Sequence, residues 1–106
     1  MPLLPANPAR SAIKPRVIVL LNDHAVHNHA PANALADLND DTKNEGLSLS
    51  RLNLDDDDKK NLSFGYSAIS KSYKGGIGVG IGAAGACDTV GDAINLTHMR
   101  ATGRTK

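Results

Sequence analysis

Tryptophan is missing from this sequence of 106 residues, cysteine occurs once, and only Phe64, Tyr66 and Tyr73 are aromatic. With Cys87 alone, no intrachain disulfide can form. Leu, Ile, Val and Phe together contribute 24 residues, close to the level at which chains fail to fold alone. A core built from so little is expected to be thin, and small chains of this kind depend on metals or partner chains once disulfides are ruled out. Partner chains are the expectation here. The net charge of +1 leaves no global basic signal for nucleic acid. No uncharged stretch reaches the ~20 apolar residues of a membrane-spanning helix. Val17–Leu21, behind Pro15 and Arg16, is too short for the core of a secretory signal.

Proline is absent after Pro31, so all five prolines fall in the first third of the chain. Proline fixes φ and biases its predecessor toward extended conformations, and residues 1–16 read as an extended arm. Leu3, Leu4 and Ile13 would be its apolar anchors on a neighbouring subunit. Charge is also unevenly spread. The arm holds Arg10, Lys14 and Arg16 and no acid, the stretch Asp37–Asp58 is acidic, and from Lys59 onward the balance is basic again. Such a layout can pair ends with middles, within one chain or between neighbours.

What the sequence does have is glycine. Tyr73–Cys87 is its longest uncharged run apart from Lys74, and it alternates glycine with Ile77, Val79 and Ile81. Side chains alternate faces along a strand, so these residues and Ala83 would form one stripe, with bare backbone at Gly76, Gly78, Gly80 and Gly82 on the other face. Glycine in a strand marks a close approach by another backbone or a ligand. A helix through six glycines from Gly75 to Gly85 would cost about 5 kcal/mol, so a strand is expected. Gly80-Ile-Gly-Ala-Ala-Gly85 spells the dinucleotide fingerprint, but the second strand and the acidic residue about 20 positions on are missing. No Gly-Lys-Ser/Thr closes the run, which excludes a Walker loop. Gly75-Gly76 resembles the leader junction of bacteriocin precursors. That likeness implies cleavage after Gly76 and release of a membrane-active peptide, although Ser70, Lys71 and Ser72 stand where such leaders carry apolar and acidic residues.

Other segments supply the rest of the expected domain, residues 17–98, followed by a basic tail at 99–106. Arg16–Leu21 reads as a short strand. Asn22–Ala30 holds His24, His27 and His29, candidate ligands for zinc or iron, with Asp23 and His98 as supplements. Pro31–Leu38 reads as a brief helix with proline at its first position, and Asn39–Gly46 as a loop. Leu47–Leu54 alternates with a slip at Arg51, as at a β-bulge. Asp55–Asn61 reads as a charged turn. Leu62, Phe64, Tyr66 and Ala68 alternate cleanly, as a strand pairing back on 47–54 in a hairpin. Val90, Ala93, Ile94 and Thr97 have helical spacing, with Asp88 as a cap.

Together these segments predict a mainly β fold with minor α, a three- or four-stranded antiparallel meander with an extended N-terminal arm and one or two short helices. The glycine-alternating strands resemble pieces of bacterial haemagglutinins and trimeric adhesin repeats, a likeness of texture over some 40 residues that assigns no residue a role. No nucleophile sits beside a base in sequence. The expected function is therefore non-enzymatic, a structural or assembly protein packing through its arm and glycine face into a homo-oligomer or larger assembly, as a virion component or cell-surface fibre does. Two alternatives stand beside it: the peptide precursor cleaved after Gly76, and a metal-binding module centred on His24, His27 and His29.

Overall fold

Ile13, Val17, Leu21 and Ala25 recur every four residues, which lines them along one face of a helix. The computed structural model describes residues 2–105 and places that helix, α1, at Arg10–His27, with all four side chains buried. Met1 of the expected arm and Lys106 of the expected tail lie outside the described residues. The remaining helices are α2 (Ala32–Leu38), α3 (Asp56–Ser70), α4 (Ile81–Gly85) and α5 (Val90–Ala101). Two 3₁₀ turns, Asn44–Gly46 and Leu49–Leu52, lie between α2 and α3.

The fold is helical, and the mainly β expectation is corrected. Among the described residues there is no strand or sheet; extended pairing is limited to isolated bridges joining Leu4 to Tyr73 and Ser48 to Thr89. The segment 62–68 shows why. Its alternation coexists with a second spacing, Leu62, Tyr66 and Ile69, and these are the side chains α3 buries, while Phe64 is 70% exposed. Upstream, the acidic run is a helix start. Asp55 caps α3 in a reciprocal box with Asp58, and Asp56–Asp58 fill the first turn, where carboxylates meet the positive end of the helix dipole. The alternating leucines of 47–54 are all buried, Leu49 and Leu52 on the second 3₁₀ turn, which Asn53 closes in the left-handed region at φ 59°.

The N-terminal arm shrinks to the residues before Arg10 and folds onto its own chain. The Leu4 amide donates to the Ser72 carbonyl (2.8 Å) and its carbonyl accepts from the Lys74 amide (2.9 Å). Ile13, expected as an anchor on a neighbour, is fully buried in α1. Toward the other end, α5 takes the helical face its spacing predicts, burying Val90, Ala93, Ile94 and Thr97, but its cap is Thr89, boxed with Asp92. Helices α1, α3 and α5 enclose a single apolar cluster completed by Leu38, Leu49, Leu52 and Leu54.

The glycine run is not a strand. After a turn at Gly75 (φ 77°), residues 76–80 run without regular secondary structure beside α3, and α4 follows. A Cβ on Gly76 would lie 1.8 Å from the Ser70 carbonyl oxygen, so only glycine fits there. Serine hydroxyls of α3 take the place of a strand partner. Ser67 Oγ accepts from the Val79 amide (2.8 Å) and donates to the Val79 carbonyl (3.2 Å), and Ser70 Oγ donates to the Ile77 carbonyl (2.6 Å). The expected close approach by another backbone is present, and that backbone belongs to a helix of the same chain.

Candidate functional site

Once α1 is a helix, Val19 and Val26 fall outside its buried four-residue register. Both are exposed, Val19 at 61%, as is Phe64 on α3. Between α1 and α3 runs a groove of about 500 Å³ floored by Leu20, Gly65, Ala68 and Ile69. At Gly65 a Cβ would come within 2.6 Å of Leu20 Cδ1, so its bare backbone lets α1 and α3 approach closely here. A second concavity of about 520 Å³, walled by Ser11, Lys14, Ile18 and Asp41, shares Pro15 and Val19 with the first. Those two residues therefore form a ridge between the grooves.

Charge is confined to the ends of the first groove, at Arg16 and Asp23. Arg16 Nη1 donates to Ser72 Oγ (2.7 Å) and the guanidinium lies over the Tyr73 ring, 5.4 Å from its centroid. This orients its planar fork and leaves further N–H donors available. Neither Arg16 nor Asp23 takes part in the ion pairs among the described residues. An apolar trough with one cation and one anion at its ends is suited to seating another surface. It brings no nucleophile next to a base.

No protein-family model, curated protein or solved structure matches this chain. Function must therefore be argued from the site itself.

The predicted site residues are scattered over the molecule. His24 and His27 lie on α1 and His29 lies beyond it at φ 59°. His24 Nδ1 is 3.0 Å from the Leu20 carbonyl, and His98 Nε2 is 3.0 Å from the Pro8 carbonyl. Among the described residues no group of three or more His, Cys, Asp or Glu side chains is placed to hold a metal ion, His24, His27 and His29 included. Leu3 and Leu4 are exposed. Gly76 and Gly78 are covered by α3, whereas a Cβ on Gly80 or Gly82 would meet nothing within 4 Å. Cleavage after Gly76 would require this segment to lift from α3. Cys87 is buried, and burial, then the carboxylates of Asp92 and Asp88, push its thiol up to about 11. No described helix is long and apolar enough to cross a membrane.

Sequence reasoning missed Val19, Leu20, Phe64 and Ala68. The signal for them is indirect. They are the apolar residues left over once the buried register of each helix has been assigned.

Proposed function

We propose that this chain is a non-enzymatic assembly module that docks onto protein through the α1–α3 face. The glycine-faced strand first expected to carry that role does not exist, and the apolar groove replaces it. The supporting observation is that a large apolar side chain is mostly exposed on each helix, Val19 lining the groove on α1 and Phe64 next in sequence to the groove residue Gly65 on α3. Scattered apolar residues on a surface need no explanation, but a contiguous patch beside a cleft marks an interaction site.

A photoreactive phenylalanine analogue at position 64, used in the cells that make the protein, tests this reading. Adducts containing polypeptide are expected from position 64, at least several-fold above those from the exposed Ala36 on α2, and they should disappear with Val19→Asp. Equal labelling at the two positions would overturn it.

A further inference from the structure

Resting on that docking reading, we propose that the partner is a second copy of this chain, packed with the two α1 helices antiparallel about a two-fold axis passing between Val19 and Leu20. The placement of two charges favours this arrangement. Arg16 and Asp23 both line the groove and are seven residues apart. That spacing is nearly two full turns and about 10.5 Å of rise, so both lie on one helix face. The point midway between them falls between Val19 and Leu20, the apolar centre of that face. A two-fold axis through it reverses one helix against the other and sets each Arg16 beside the partner's Asp23. An isologous interface requires one patch to be its own complement, and this patch is: opposite charges at equal distances from an apolar centre. A parallel arrangement would place like charges side by side.

Shape agrees with charge. Exposed Pro15 and Val19 rim the groove, so each copy carries both a projection and the trough. Arg16 is held in place by Ser72 and Tyr73 with donors to spare, which lowers the entropy lost on pairing. α1 is 18 residues long, about 27 Å, and the axis falls within about 1.5 Å of its midpoint, so the two helices overlap along nearly their whole length.

Cysteine scanning tests the geometry without disturbing the core, because Val19 and Val26 are both exposed and the native Cys87 is buried. Under mild oxidation Val19→Cys is expected to give a disulfide-linked dimer. Val26→Cys is not, since antiparallel packing holds the two positions about 20 Å apart along the axis. Light scattering of the unmodified chain should show dimer at about 100 μM, and Asp23→Arg, at an exposed site, should weaken it about tenfold. Equal cross-linking at 19 and 26 would overturn the antiparallel arrangement. A monomer at ~200 μM would overturn the dimer. If position 64 still captures a different protein in cells, the docking reading survives that loss; if it captures nothing, both are wrong.

Discussion

Gly76 and Gly80 are four residues apart in the same run and have opposite reasons to be glycine. At Gly76 the place a methyl group would occupy is filled by the Ser70 carbonyl; at Gly80 it is open. Gly76→Ala should therefore cost about 2–4 kcal/mol, because backbone must move. Gly80→Ala, in an extended conformation open to any residue (φ −71°, ψ 154°), should be neutral or stabilise by up to about 1 kcal/mol. Urea denaturation of the two variants separates them, and equal effects would refute the packing described. A thiol at Cys87 pushed up to about 11 leaves roughly one in a thousand molecules as thiolate at pH 8. Alkylation of the folded protein should accordingly be slow, and fast only in denaturant. At this scale the sequence was partly legible. Glycine announced a close approach, but nothing in the run says whether strand or helix approaches. Phe64 and Tyr66 looked equivalent by alternation, and only the position of Ile69 separates the buried one from the exposed one.

Among elements, Glu45 ties the start of α1 to the first 3₁₀ turn. Its carboxylate accepts from both terminal nitrogens of Arg10 and from Lys14 Nζ. Hydrogen bonds from Arg10, then Lys14, hold its pKa at about 2, below the roughly 4.3 of an unfolded glutamate. A depressed carboxylate stabilises fully above its unfolded value, and the contribution fades as pH falls from there toward 2. The side chain is 40% exposed, so solvent screening keeps the contribution near that of a surface pair. Glu45→Gln should lower stability by about 0.5–1 kcal/mol at pH 7 and by almost nothing near pH 2, as read from denaturation midpoints. A loss of the same size at both pH values would refute the ion-pair account. The α5 helix is the element most legible in the sequence, its buried face matching the spacing of Val90, Ala93, Ile94 and Thr97 although its cap is Thr89 and not Asp88. Asp55…Asp58 and Thr89…Asp92 both form capping boxes, and an aspartate-rich run has the same composition whether it makes a turn or a helix start.

Over the whole molecule, one chain fills its own interior. The expectation of a thin core counted Leu, Ile, Val and Phe, and left out alanine. Ala25, Ala34, Ala84, Ala93 and Ala101 are all fully buried. Small side chains let helices approach closely, so a core poor in aromatics can still be dense. Partners are therefore argued from the surface and not from a shortage of apolar burial. Folding should not wait for a second copy: diluted to ~10 nM, well below the micromolar range of a modest interface, the protein should keep its helical circular dichroism. Loss of helix on dilution would mean that the interior is completed between chains after all.

The order of synthesis gives the contact between the first and last helices a further consequence. Arg10 Nε bonds Asn95 Oδ1 at 2.7 Å, and α1 packs along α5. A ribosome making about 5–20 residues per second needs roughly 4–15 s to go from the end of α1 to the end of α5. Throughout that interval the greasy stripe Ile13–Val17–Leu21–Ala25 is made but lacks its lid, which makes this nascent segment a natural client for a chaperone.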